Sequence, residues 1–102
     1  MTNYNKLIRD KIPEIIAKNG SKAITHTATD EEYLATLYAK VLEELEEFKA
    51  KPSTEEMADI IEVLRALAQH KNIAWGSIEP IRQKKYEERG GFEKKIILDR
   101  TE

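Results

Sequence analysis

Two amphipathic repeats, each opened by a capping sequence and joined through little more than Lys51-Pro52, restrict what this chain can fold into. Thr29-Asp30-Glu31-Glu32 has the form of a capping box, in which a hydroxyl takes the N–H three residues on and the residue there can reach back. Leu34, Leu37, Tyr38, Val41, Leu45 and Phe48 then recur at helical spacing and predict one apolar stripe. Ser53-Thr54-Glu55-Glu56 repeats the start signal. Met57, Ile60, Ile61, Leu64, Leu67 and Ala68 follow it. So short a connection makes the two helices antiparallel neighbours.

The flanks are shorter elements. Pro13 suits only the first turn of a helix, which places a start near Asp10 or Lys11, and Asn19-Gly20 stops it. Residues 22–28 alternate in the manner of an extended piece. The second long helix is expected to end near Lys71-Asn72. Ser77 is then expected to cap a final helix with Pro80 in its first turn, running to Arg89 and closed by Gly90-Gly91, with Phe92 folding back behind it. Lys95-Ile96-Ile97-Leu98 reads as a short strand. The fold class expected is all-α, an antiparallel helical hairpin bundle with short flanking helices and room for one small two-stranded β element between 22–28 and 95–98.

A chain of 102 residues is one domain by length, 1–102, and a helical domain of this size often completes its core by oligomerising. No apolar run approaches the ~20 residues that span a bilayer, no secretory h-region opens the chain, and no cysteine is present. A cytoplasmic protein with no membrane association is the expectation. The net charge of −2 conceals a segregation: residues 1–29 carry +3, residues 30–62 carry −8 and residues 71–100 carry +3. The acidic centre argues against direct nucleic-acid binding.

Within that centre, Glu44-x-x-Glu47 and Glu56-x-x-Asp59 each place two carboxylates on one helix face. Relative to the stripe of the first long helix, Glu43 lies opposite and is expected in solvent, whereas Glu44 borders the stripe with Glu47 on the same flank. On the second long helix, Glu56 falls between Leu67 and Val63 inside the apolar arc, and Asp59 sits just past its edge. Carboxylates on a packed face are costly without a partner, and four oxygen ligands at a hairpin margin suit a hard cation. Solvated acidic helices carry the same pattern. Glu56 is also the N3 residue of the Ser53 box, and Lys40 is spaced to pair with Glu44. Spacing alone leaves both readings open.

The run Lys40-Val-Leu-Glu-Glu-Leu-Glu-Glu-Phe48, followed by Glu56-Met-Ala-Asp-Ile-Ile-Glu-Val-Leu64, resembles the E-E-x-x-E … E-x-x-D signature of the MazG-like, all-α nucleoside triphosphate pyrophosphohydrolases. The opening Tyr4-Asn-Lys-Leu-Ile-Arg-Asp-Lys-Ile-Pro-Glu-Ile-Ile16 and the ending Arg89-Gly-Gly-Phe-Glu-Lys-Lys-Ile-Ile-Leu98 are similar to a compact, predicted house-cleaning subgroup. Only eight residues separate Glu47 from Glu56, fewer than in most of the superfamily, where a longer connection helps to enclose the base.

The resemblance implies cleavage of a nucleoside triphosphate, or a similar phosphoanhydride, between the α and β phosphates. It further implies that Glu44, Glu47, Glu56 and Asp59 hold Mg²⁺, with Mn²⁺ as a substitute, and that Glu47 or Glu43 takes the proton from water. Lys6, Arg9, Lys11, Lys84, Lys85 and Arg89 are candidate phosphate partners, with the guanidinium forks of Arg9 and Arg89 preferred. Trp75 is the candidate for stacking on a base, while Tyr38 belongs to the stripe. His26 and His70 stand in no Glu-x-x-His arrangement, which argues against a di-iron bundle. A homodimer or homotetramer in which facing hairpins complete a bundle is expected. Phosphoribosyl-ATP pyrophosphohydrolase performs the same bond cleavage and is the enzymatic alternative. A non-catalytic helical interaction module is the alternative from another class.

Overall fold

The computed structural model describes residues 4–102, and among them every regular element is helical: α1 (Ile12–Lys18), α2 (Asp30–Ala50), α3 (Thr54–His70) and α4 (Ile78–Arg89), with one 3₁₀ turn at Trp75–Ser77. Both capping hydroxyls act as read, while neither glutamate closes its box: the Glu32 carboxylate pairs with His26 instead. Thr29 Oγ1 accepts from Glu32 N–H at 3.2 Å and Ser53 Oγ from Glu56 N–H at 3.1 Å, so each long helix begins with one of its orphan donors satisfied. α1 starts after Lys11 with Pro13 in its first turn, and Gly20 at φ +85° supplies the left-handed residue beyond its end. α3 closes through Asn72 at φ +58°, with Ile73 N–H donating to Ala68 O at 2.8 Å.

α2 and α3 pack antiparallel and hold the core. Leu37, Ile60, Val63 and Ala68 are buried, Leu37 most completely, with Leu34, Val41, Phe48 and Leu67 half-buried around them. Only one side of each stripe is used. Tyr38, Leu42 and Leu45 on α2, and Met57, Ile61 and Leu64 on α3, are 40–65% exposed. Each triplet has the spacing i, i+4, i+7 and therefore forms a single flank. Tyr38 is thus a surface residue, not a core one, because no element among the described residues lies over that flank.

The flanking expectations fare differently. No strand forms among the described residues: 22–28 and 95–98 do not pair, and Ile24, Ile96, Ile97 and Leu98 are largely exposed. Phe92 is 96% exposed instead of folding behind α4. Ser77 does not cap α4. It has helical φ/ψ, and its hydroxyl donates back to Ala74 O at 2.6 Å, so the 3₁₀ turn runs directly into the helix. α4 ends as expected at Gly90 (φ +79°), whose N–H donates to Tyr86 O at 2.7 Å. α4 buries none of its residues and packs only against the 3₁₀ turn. The molecule is consequently long, 59 × 32 × 27 Å, with a radius of gyration of 18.1 Å against the ~13 Å of a compact chain this size. No helix is long and apolar enough to cross a membrane among the described residues.

Candidate metal centre

The acidic flank of the hairpin lies opposite the exposed apolar one, by the helical positions of its residues. Carboxylate oxygens of Glu44 on α2 and of Glu56 and Asp59 on α3 lie within 4.8 Å of one another. Glu44 is the one buried charged residue among those described, 7% exposed, and its Oε2 has no hydrogen-bond partner; nor has Oε2 of Glu56. Lys40 Nζ stands 3.7 Å from Glu44 Oε1, the pairing its i, i+4 spacing anticipates. Burial pushes the Glu44 carboxyl above its usual range, and the neighbouring Glu47 and Asp59 carboxylates add to this while Lys40 opposes it. Glu56 moves the same way, through burial first and then the charges of Glu47 and Asp59. These are electrostatic signatures of acids gathered without enough compensating charge.

The capping role of Glu56 is only half formed. Its N–H serves Ser53, yet its side chain returns no bond to Ser53 N–H and aims one oxygen into the cluster instead. The helix start therefore accounts for Ser53 and not for the position of the Glu56 carboxylate.

Glu43 departs from its expected place in solvent. The segment preceding α1 crosses the hairpin here, so Lys6 Nζ donates to Glu43 Oε1 at 3.0 Å and Lys40 Nζ to Oε2 at 3.4 Å. Those bonds hold the Glu43 carboxyl below its usual range, Lys6 contributing most. Glu47 stands at the solvent edge, outside the three mutually close oxygens but near enough to raise both Glu44 and Glu56. Arg9 Nη2 donates to Asp59 Oδ1 at 2.8 Å.

Beside the cluster opens a groove of about 820 Å³, lined by Glu44 and Asp59 but not by Glu47 or Glu56, together with Arg9, Lys11, Lys40, Ile73, Ala74 and Trp75. Trp75 is half-buried in the 3₁₀ turn, with the Arg65 guanidinium 5.2 Å from its ring centroid. Tyr33 also lines the groove and meets His70 edge-on at 5.2 Å. Lys84, Lys85 and Arg89 are on α4 and do not reach the groove within one chain. Arg65, Tyr33 and Glu62 are groove residues that the carboxylate motif does not reveal. Extending the Asp59 face along α3, through Glu62, Ala66 and Gln69, gives the signal that traces the groove floor.

An uncharacterized protein of Mycolicibacterium smegmatis (strain ATCC 700084 / mc(2)155) is 44% identical to the chain over 45 residues, which span 44% of this chain and 46% of that protein. The chain therefore matches less than half the length of this relative. No protein-family model and no solved structure matches it.

The donor set fits a hard divalent cation. It consists only of carboxylate oxygens, from two helices whose packing fixes their separation, and Glu44 and Glu56 each have a buried oxygen without any proton donor. A cation would satisfy both orphaned oxygens and offset the repulsion that raises Glu44 and Glu56.

Proposed function

We propose that the chain is a divalent-cation-dependent phosphoanhydride hydrolase, which cleaves a nucleoside triphosphate or related nucleotide between the α and β phosphates. The observation that carries this reading is the buried Glu44 carboxylate, with an unpartnered oxygen, facing Glu56 and Asp59 beside a groove that also holds cations and an aromatic ring. A merely solvated acidic face would not bury one of its charges. The sequence resemblance supports the reaction class independently of that geometry.

Glu44, Glu56 and Asp59 would hold Mg²⁺ or Mn²⁺, with Glu47 at the rim. When bound, the cation supplies charge neutralisation for phosphate oxygens and acidifies water. Arg9 and Lys11 are placed to bind the anionic part of the substrate, and Arg9 is anchored through Asp59 so that its remaining N–H groups stay oriented. Hydrolysis adds one water across the anhydride: a new P–O bond forms, the bridging P–O bond breaks, and the proton of water passes to a carboxylate. Glu47 is the better placed acceptor. Glu43 is engaged by two lysines that favour its ionised form and make it a weaker base. Trp75 and Ile73, which line the same groove, suit a base or another flat group.

The test is pyrophosphate release from a panel of canonical and modified nucleotides plus phosphoribosyl-ATP, with and without Mg²⁺. Activity on one member that requires the metal, and is abolished in Asp59→Asn while the far-UV helical signal persists, is the expected result. Failure of both Mg²⁺ and Mn²⁺ to bind at millimolar concentration defeats the metal reading and leaves the non-catalytic interaction module.

A further inference from the structure

The segment before α1, residues 4–11, is a strap across the acidic end of the hairpin. Its polar ties there are two ion pairs, Lys6 Nζ to Glu43 Oε1 at 3.0 Å and Arg9 Nη2 to Asp59 Oδ1 at 2.8 Å, with Leu7 and Ile8 half-buried between them. α1, which follows, packs against no other helix among the described residues, and residues 21–29 carry no regular structure. The strap can therefore shift without disturbing the core. Both pairs are partly exposed, their side chains 30–58% accessible, and pairs of that kind are weak and screened by salt.

Asp59 is held from two sides. It belongs to the three mutually close carboxylates, and it accepts from Arg9. A guanidinium on Oδ1 offsets the charge that a cation would use, and a cation would in turn repel the guanidinium. The strap supplies two of the three side-chain cations paired with acids at this end of the hairpin, Lys40 being the third. None of the three donates to Glu44 Oε2 or Glu56 Oε2, which have no partner. The strap thus compensates the rim of the cluster and leaves its buried oxygens open.

We propose that Lys6 and Arg9 are the resident counter-ions of the acidic cluster, and that a divalent cation competes with them for it. A cation on Glu44, Glu56 and Asp59 loosens the strap and frees more of the Arg9 guanidinium for an anion in the groove, which Leu7, Ile8, Arg9 and Lys11 of the strap help to line. This rests on the metal reading of the cluster and adds an order to it, cation first and anion second. Such coupling is reciprocal: if the cation weakens the strap, removing the strap's charge must tighten the cation.

Calorimetric titration of the full chain with Mn²⁺, without nucleotide, tests it. Arg9→Met removes the charge and keeps an unbranched side chain, and is expected to bind Mn²⁺ about fivefold more tightly, the low end of coupling between sites. Arg9→Lys is expected to stay close to wild type. Lys11→Met removes a neighbouring charge that pairs with no acid among the described residues, and is expected to change the affinity less than Arg9→Met does. In the reverse direction, trypsin is expected to cut after Lys6 and Arg9 faster with Mn²⁺ than without, while cleavage after Lys94 keeps its rate. An unchanged or weaker affinity in Arg9→Met overturns the competition, as does a tightening that Lys11→Met reproduces in full. Mn²⁺ binding that leaves cleavage of the strap unaltered overturns the proposal and leaves the metal reading standing. No Mn²⁺ binding to wild type or variant defeats both.

Discussion

Glu44 concentrates the tension in this molecule. It is a carboxylate on the buried edge of α2, with one oxygen near Lys40 and the other unpartnered, and with Glu47, Glu56 and Asp59 around it. Its folded-state pKa, and that of Glu56, is raised above the unfolded value of 4.5. The folded state therefore binds protons more readily, and by linkage the protein loses stability as pH rises from 4.5 through the raised values. Glu43 acts oppositely, but its pKa is lowered, so its contribution is lost only as pH falls below 4.5. In metal-free buffer the melting temperature should therefore fall between weakly acidic and neutral pH, and millimolar Mg²⁺ should cancel that fall. Glu44→Gln should raise the metal-free melting temperature at neutral pH, by about 4–8 °C for each kcal/mol recovered, while abolishing the response to Mg²⁺. A Glu44→Gln protein that still gains stability from Mg²⁺ would place the cation elsewhere. Helical spacing alone put Glu44 and Glu56 on the inward side, because angular position follows directly from sequence. It misplaced Glu43, since the lysine that covers it, Lys6, arrives from 37 residues away.

The helices themselves were legible wherever a local interaction sets a boundary. Thr29, Ser53, Gly20 and Gly90 act within a few residues of themselves, so the sequence contains all of the physics that places them. Ser53 has the larger consequence, because it fixes the first turn of α3 and with it the Glu56 carboxylate. Ser53→Ala should cost about 1 kcal/mol, seen as a lower melting temperature, and should weaken Mg²⁺ binding as well. Thr29→Ala should cost a similar amount of stability and leave the metal response intact, since its helix turn bears no cluster residue. Calorimetry with and without Mg²⁺ separates the two, and equal metal responses would mean that capping and metal site are uncoupled. Where a boundary depends on distant partners, local signals failed. The alternation at 22–28 and the β-branched run at 95–98 resemble strands, yet a strand needs a neighbour, and neither segment finds one among the described residues. Ser77 has the residue type of a cap but sits inside a continuous 3₁₀-to-α turn, where its hydroxyl is committed to Ala74 O.

At the scale of the whole molecule, the stripe on α2 and α3 is wider than the hairpin alone can use. Sequence periodicity shows that Tyr38, Leu45, Met57 and Ile61 are apolar and aligned, and misses Leu42 beside them; it does not say whether their cover comes from the same chain. Among the described residues, four apolar side chains are buried, a small core for a chain that must offset the conformational entropy of ordering its backbone. If association covers the exposed flank, unfolding becomes a concentration-dependent equilibrium between folded assembly and unfolded monomer. The melting temperature should consequently rise with protein concentration, by several degrees across a hundredfold range, and Leu42→Ala should lower it although Leu42 is 65% exposed in the isolated chain. Leu37→Ala, at a site 1% exposed, should cost ~2–5 kcal/mol at every concentration, because that contact is internal to the hairpin. A melting temperature independent of concentration, with Leu42→Ala silent, would mean that the hairpin stands alone and that its apolar flank contributes nothing to folding.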